Sequence, residues 1–164
     1  MFNPVQETVE GNEFRFRMEL ADPATLPADA AALISDMDVF LEDREIDGED
    51  AHALRIALEE LLTNLGKFGA PTANTRSAAV HVEGIVAIAN DDVRLILSDD
   101  ALPFDPTRYP PPDLDPETFL SRSPGGLGLH MLRQLFRDVY YRRENCRNVT
   151  VWQRRRSARV TKEG

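Results

Sequence analysis

The spacing of apolar residues changes along the chain, and each change predicts a different element. Residues 13–20 alternate apolar and charged side chains, which is typical of a strand with one face buried and one face in solvent. Residues 33–41 instead place apolar side chains three and four apart, and residues 49–68 do the same. These two segments are therefore predicted to be amphipathic helices, the first ending near residues 47–48.

The second half of the chain contains further predicted strands. Residues 78–89 and 93–97 are rich in β-branched side chains, and the Asn-Asp-Asp sequence between them favours a hairpin turn. A helix is predicted after residue 128, followed by strands at residues 139–141 and 149–152. Hairpins with separately grouped helices predict an α+β fold, a two-layer α/β sandwich with a mixed, mostly antiparallel sheet.

A long proline-rich segment interrupts this order of elements. Residues 103–124 contain seven of the eleven prolines, and the segment leads directly into Gly125, Gly126 and Gly128. Loops of this length in a compact domain are more often lids or binding loops than simple connections. Glycines at the start of a helix let an anion approach backbone N–H groups. We therefore interpret this stretch as a phosphate-holding loop, the alternative being a helix start with glycines for packing.

Composition and charge narrow the class of protein. The chain has 164 residues, 42% hydrophobic and 29% charged, which fits one globular domain with a real core. The net charge is −9, which argues against general nucleic-acid binding, although residues 133–164 hold ten basic residues against three acidic ones. Neither a membrane-spanning run nor a signal-peptide pattern is present, so we expect a cytoplasmic protein. Cys146 is the single cysteine, which leaves no internal disulfide.

Three polar side chains combine with the glycines into a candidate nucleotide site. Glu60 and Asn64 are four residues apart and share one helix face, and Asp99 ends a predicted strand. Asp99 can accept from the amino group of adenine, Asn64 can offer an oxygen to Mg²⁺, and Glu60 can take a proton from an attacking hydroxyl. Each residue also has an ordinary interpretation: a surface glutamate, a polar residue near a helix end, and an aspartate that caps a turn.

Three segments resemble, in order and spacing, the N, G1 and G2 boxes of the GHKL ATPases. They are Glu59-Glu60-Leu61-Leu62-Thr63-Asn64, Asp99-Asp100-Ala101-Leu102-Pro103-Phe104-Asp105-Pro106 and Gly125-Gly126-Leu127-Gly128-Leu129. Within that group the sequence is most similar to bacterial anti-sigma factor serine/threonine kinases, over roughly residues 12–155. The resemblance divides the chain into an N-terminal extension at 1–11, a GHKL ATP-binding domain at 12–156 and a basic tail at 157–164.

The resemblance implies a Bergerat-type sandwich that binds ATP and Mg²⁺. Glu60 matches the general base of the family, Asn64 the metal-binding asparagine and Asp99 the adenine-binding aspartate. The cofactor-binding residues that it implies are Asn64, Lys67, Phe68, Asp99, Ala101, Phe104, Gly125, Gly126, Leu127, Gly128 and Leu129. Such kinases bind a sigma factor, phosphorylate a serine on a STAS-type anti-anti-sigma protein and commonly form homodimers, without contacting nucleic acid or membrane directly.

The sequence departs from this family pattern at several positions. Ala101 replaces a glycine of the G1 box, Phe68 stands where the subgroup often has histidine, and Gly66 interrupts the N-box helix at a cost of about 1 kcal/mol relative to alanine. These changes support an alternative, a catalytically weak or inactive GHKL binding module in a partner-switching pathway. Arg122 is either a γ-phosphate ligand or a solvated loop residue.

A further alternative is the detached ATP domain of a histidine kinase. We disfavour it because we interpret all three histidines, His52, His81 and His130, as structural residues.

Overall fold

The structure, a computed structural model, describes residues 5–22, 24–68, 79–109 and 127–157. Its elements in chain order are β1 (Val5–Glu10), β2 (Glu13–Leu20), α1 (Leu26–Asp43), α2 (Gly48–Phe68), β3 (Val80–Ile88), β4 (Asp92–Asp99), α3 (Leu127–Leu135), β5 (Asp138–Glu144) and β6 (Arg147–Arg155). None of the helices in these ranges combines the length and the apolar character needed to cross a membrane. The helices and strands inferred from the sequence are present, with ends that differ by a few residues.

The strands form one sheet in the order β1-β2-β3-β4-β6-β5. Every neighbouring pair is antiparallel. Helix α1 packs on β1 and β2, while α2 packs on α1, α3 and β4, so the helices form a layer against the sheet. The predicted α+β two-layer sandwich is therefore confirmed, with antiparallel pairing throughout the described strands.

The alternation of side chains along β4 determines which residues point toward the helices. Val93, Leu95 and Leu97 are buried, and the next residue in this row is Asp99 at the end of the strand. Because side chains two apart on a strand share a face, the pattern that builds the core also carries a carboxylate into the interior. Asp99 is 5% exposed.

Aromatic and leucine side chains fill the space between the two layers. Trp152 and Phe136 pack edge to face with ring centroids 6.1 Å apart, and Phe14 packs on Phe40 at 5.7 Å. The ring of Phe16 covers Gly84 on the neighbouring strand, where a Cβ would overlap the ring atoms. This glycine therefore makes room for an aromatic side chain of the core.

Strand β1 was not predicted from the sequence, where residues 1–11 were described only as an N-terminal extension. Residues 5–10 hold two apolar side chains four apart, so they lack the alternation that identified β2. In the structure β1 pairs with β2 along its whole length. Glu7 of β1 faces α1, where burial and the carboxylate of Asp36, to which it hydrogen-bonds, raise the pKa of Glu7 to about 7.

A buried ion pair joins the end of β6 to the first turn of α2. Arg154 Nε donates to Asp50 Oδ1 at 2.8 Å, and the backbone N–H of Ser157 donates to Asp50 Oδ2 at 2.9 Å. Arg154 also donates to the backbone carbonyl of Leu135, at the end of α3, at 3.1 Å. Since Asp50 is fully buried, this cluster fixes the start of α2, the helix that carries Asn64.

We expect Asp50→Ala to lower the free energy of unfolding by about 3–5 kcal/mol, because it leaves a buried guanidinium without its main partner. Urea unfolding followed by circular dichroism measures the change. Glu144→Ala is the matched control, since it breaks the exposed pair with Arg142 (3.4 Å), a pair of a kind that contributes at most about 1 kcal/mol. Equal losses for both variants would contradict the structural role given to Asp50.

Candidate functional site

A cavity of about 410 Å³ lies between α2, the inner face of β4 and β6, and the segment after β4. Its volume is within the range typical of small-molecule sites, and its wall is mostly apolar with a few polar groups. The lining residues are Leu61, Asn64, Leu65, Phe68, Leu97, Asp99, Ala101, Leu102, Pro103, Phe104, Pro106, Tyr109, Leu129, Asn148 and Thr150.

Six of the residues singled out from the sequence meet in this cavity. They are Asn64, Phe68, Asp99, Ala101, Phe104 and Leu129. Glu60, Lys67 and Gly128 are not part of its lining: Lys67 is exposed, and the Glu60 carboxylate lies against Gly128. Gly125, Gly126 and Arg122 lie outside the described residues, so the predicted phosphate loop is described only from Leu127, where α3 begins, and the side chain of Leu127 is not described.

The two oxygens of the Asp99 carboxylate have different surroundings. Oδ1 accepts from Asn148 Nδ2 at 2.8 Å and from the backbone N–H of Ala101 at 3.1 Å. Oδ2 accepts no hydrogen bond from any residue that the structure describes. The carboxylate is therefore held through one oxygen, and the other remains as an acceptor at the cavity wall.

Opposing effects act on the ionisation of Asp99. Burial disfavours the charged form, while the hydrogen bonds from Asn148 and Ala101 and the charge of Arg147 favour it. Burial is the largest effect, so the pKa of Asp99 lies above its usual range. The carboxylate thus depends on its hydrogen-bond donors to remain an acceptor.

Ala101 occupies the G1-box glycine position without backbone strain. Its φ angle lies outside the left-handed region, so the conformation at this position does not require glycine. Its N–H donates to Asp99, and its carbonyl accepts from Arg143 Nη1 at 3.2 Å. The methyl group lies on the cavity wall, where it adds apolar surface.

Aromatic side chains form the outer part of the cavity. The rings of Phe104 and Tyr109 lie 5.7 Å apart at an angle of 56°, and Phe68 on α2 is 63% exposed. Arg133 of α3 donates to the backbone carbonyl of Tyr109 at 2.9 Å and so ties this segment to α3. Exposed aromatic faces beside a buried carboxylate with one unbonded oxygen suit a planar base that carries an amino group.

Helix α2 contributes two polar side chains one turn apart. Asn64 is half-buried at the cavity, and its carboxamide makes no hydrogen bond within the described part of the chain. Glu60 is also half-buried, and its carboxylate lies against the first turn of α3, where a Cβ at Gly128 would overlap it. The added Cβ would meet only the end of the flexible Glu60 side chain, so glycine at position 128 leaves room for this carboxylate beside the first turn of α3, where a helix N-terminus favours negative charge.

A second depression, of about 360 Å³, lies on the sheet face opposite the helices. Its arginines are already paired, Arg15 with Glu13 and Arg17 with Glu83. Since its charged groups satisfy one another, it lacks the unpaired acceptor that distinguishes the cavity at Asp99.

Comparison with known proteins shows the family of this chain. A family model described as histidine kinase-like ATPase domain matches residues 22–153. The chain belongs to this family. The GHKL likeness inferred from the sequence is thereby confirmed, and the chain is an ATP-binding module of that type. No curated protein matched the chain.

Asn148 and Thr150 were not identified from the sequence as parts of the site. Both belong to the buried row of β6, and Asn148 pairs with Asp99 across the two strands. The alternation along β6 could have placed them on the inner face together with Trp152. Their position beside Asp99 follows from the register between β4 and β6, which no local pattern encodes.

We expect Asp99→Asn to reverse the base preference of the site. Asn148 and the Ala101 N–H would hold the new carboxamide oxygen in the place of Oδ1, which leaves an NH₂ donor where Oδ2 was an acceptor. ATP affinity then falls by about 10- to 100-fold, which corresponds to the free energy of one charged hydrogen bond. Inosine triphosphate, which carries an oxygen at position 6, should bind to the variant better than ATP does.

Competition titrations with both nucleotides on the native and variant proteins measure this change. An unchanged ratio of the two affinities would contradict the placement of Asp99 at the base.

Proposed function

We propose that this ATP-binding domain is an anti-sigma factor serine/threonine kinase. It transfers phosphate from ATP to a serine of a STAS-type anti-anti-sigma protein, and it sequesters a sigma factor. The observation that carries the proposal is that Asn64 of α2 and Asp99 of β4 line one cavity, with Glu60 one turn before Asn64. Resemblance of the three boxes to that kinase group supports the choice of substrate and partners, as well as a homodimer, and a cytoplasmic location is proposed from the sequence pattern.

In this proposal different parts of the cavity wall bind the base and the phosphates of ATP. Asp99 Oδ2 accepts from the adenine amino group, and the aromatic side chains at the outer edge cover the base. The phosphates extend toward the N-terminus of α3, where unpaired N–H groups favour anions. The base is thus bound on the sheet side and the reacting end of ATP lies near α2 and α3.

Magnesium is the cation that this site would hold. Among the described residues no group of three or more His, Cys, Asp or Glu side chains forms an all-protein metal cage. Mg²⁺ does not need one, because it is usually bound through one or two protein oxygens, phosphates and waters. The Asn64 carboxamide fits that donor set, and the bound cation would neutralise charge that develops on the phosphates.

Glu60 is the proposed general base. It is half-buried and lies on the same helix face as Asn64, and its carboxylate is already next to the first turn of α3. From this position it accepts the proton of the attacking serine hydroxyl, a contribution of roughly 10²–10⁴-fold to the rate. Positioning of the two substrates supplies most of the remaining acceleration.

Incubation with labelled ATP, Mg²⁺ and a STAS protein encoded near this chain tests the activity. Label on a serine of the STAS protein is the expected result, and co-purification of a sigma factor tests the second partner. Measurable ATP binding without any transfer would reject the kinase.

The second candidate is a binding module with weak or absent turnover. Phe68, which replaces a histidine of the subgroup, is 63% exposed and offers a surface for a partner rather than a group for catalysis. Calorimetric titration with ATP and Mg²⁺ separates the two candidates, because a dissociation constant far above millimolar favours the binding module.

We expect Asn64→Ala to abolish the part of ATP binding that depends on Mg²⁺, because it removes the only protein oxygen proposed to reach the cation. Titrations with Mg²⁺ and with EDTA measure this difference. Asn90→Ala, at an exposed turn far from the cavity, is the matched control and should bind as the native protein does. Equal Mg²⁺ dependence in both variants would remove the metal role of Asn64.

Glu60→Gln should leave ATP affinity within about twofold of the native value but lower the rate of phosphoryl transfer by roughly 10²–10⁴-fold. The amide keeps the shape of the side chain and loses the basic oxygen. Glu59→Gln, at the exposed neighbouring position, is the control. Single-turnover transfer assays compare the three proteins, and a normal rate in Glu60→Gln would show that another group is the base.

A further inference from the structure

Asn148 is a buried carboxamide that uses all its hydrogen-bonding capacity on neighbouring protein groups. It is 2% exposed and lies on β6 directly opposite Asp99. Nδ2 donates to Asp99 Oδ1 at 2.8 Å and to the Leu102 carbonyl at 2.9 Å. Oδ1 accepts from Tyr141 Oη and Arg143 Nη1, both at 2.9 Å, and from the Phe104 N–H at 3.4 Å.

The orientation of this carboxamide is fixed by the chemistry of its neighbours. A guanidinium can only donate, so the amide oxygen must face Arg143. A backbone carbonyl can only accept, so the NH₂ group must face Leu102 and, beside it, Asp99. Rotation of the amide by 180° would place donor against donor and acceptor against acceptor. Arg143 therefore fixes the orientation of the Asn148 amide, and this orientation determines which oxygen of Asp99 accepts a hydrogen bond from it.

The same side chain also holds the wall of the cavity that follows Asp99. Its bonds to the Leu102 carbonyl and the Phe104 N–H tie this segment to β6. Phe104 lines the cavity and contacts Tyr109, so a change at position 148 affects both the base acceptor and the aromatic edge.

We propose that Asn148 is a positioning residue for base recognition, which holds one oxygen of Asp99 so that the other accepts the amino group of the base. The inference rests on the nucleotide-binding function proposed above. Asn148 is not a ligand of the base itself, because both its donors and its oxygen are already engaged. Its effect on affinity is transmitted by Asp99 and by the segment that carries Phe104.

The direction of the pH effect follows from the hydrogen bond. Burial already raises the pKa of Asp99, and the Asn148 hydrogen bond opposes that rise. Without Asn148 the pKa of Asp99 rises further, so a larger fraction of the protein holds a protonated Asp99 at a given acidic pH. The loss of ATP affinity in a variant should therefore grow as the pH falls toward that pKa.

The test uses Asn148→Ala and, as a second variant at an exposed position, Arg143→Ala. Affinities are measured from pH 5 to 8 for ATP and for purine riboside triphosphate, which lacks the amino group at position 6. We expect Asn148→Ala to weaken ATP about 10-fold, the value of one charge-assisted hydrogen bond, and to change the analogue by less than about twofold.

Arg143→Ala should reduce the ratio of ATP affinity to analogue affinity by about threefold, since it removes one of the donors that orient the Asn148 amide. Arg142→Ala is the matched control, because this exposed arginine pairs with Glu144 and has no contact with Asn148. Its ratio of ATP to analogue affinity should equal that of the native protein.

Carbon-13 titration of the Asp99 carboxyl in the nucleotide-free proteins supplies a readout that does not need ATP. A raised pKa in Asn148→Ala supports the inference, and an unchanged pKa with an unchanged affinity ratio overturns it while leaving the proposed function intact. If Asn148→Ala does not fold, the same two measurements are made on Arg143→Ala. A raised pKa of Asp99 and a lower ratio of ATP to analogue affinity support the inference, and no change in either overturns it.

If the native protein does not bind ATP, the proposed function is rejected and base recognition with it. The titration then still shows whether Asn148 controls the carboxylate. Equal losses of affinity for ATP and the analogue in Asn148→Ala would show that Asn148 only stabilises the cavity wall. That result would overturn its role in recognition of the base.

Discussion

The hydrogen bonds to one oxygen of the Asp99 carboxylate are the interactions on which the arrangement of the site depends. The inward row of β4 carries this carboxylate into a place where its charge is disfavoured, and Asn148 and the Ala101 N–H compensate. The same donors leave the other oxygen free as an acceptor beside an apolar wall. A ligand with a complementary donor is then bound where water would otherwise compete, which makes one hydrogen bond selective.

The two layers of the fold contribute different halves of the site. The sheet contributes Asp99 and Asn148 through β4 and β6, whose register is fixed by continuous antiparallel pairing. Helix α2 supplies Asn64 and Glu60, and its buried face is fixed by the core and by the Asp50–Arg154 ion pair at its start. Because each half is anchored in its own layer, the distance between them is determined by packing of α2 on the sheet.

The sequence predicted the helices, most strands and the residues that carry the resemblance to the GHKL boxes, because periodicity and glycine or proline punctuation are local signals. It did not predict β1, whose sequence lacks alternation and whose strand form comes from pairing with β2. It also missed the contact of Asn148 with Asp99, since that contact exists only after β6 lies beside β4 with residue 148 opposite residue 99. Ala101 departs from the glycine of the G1 box, and its ordinary φ angle shows that the backbone at this position accepts an alanine.

The contact between Glu7 and Asp36 gives the edge of the sheet a proton-dependent attachment. Glu7 keeps its proton in the folded chain up to a pH near 7, whereas its ordinary pKa is 4.5. Between these values the native state binds more protons than the unfolded chain, so alkalinisation through that window weakens folding. The effect is localised at the contact between β1 and α1, which weakens as the medium becomes more basic.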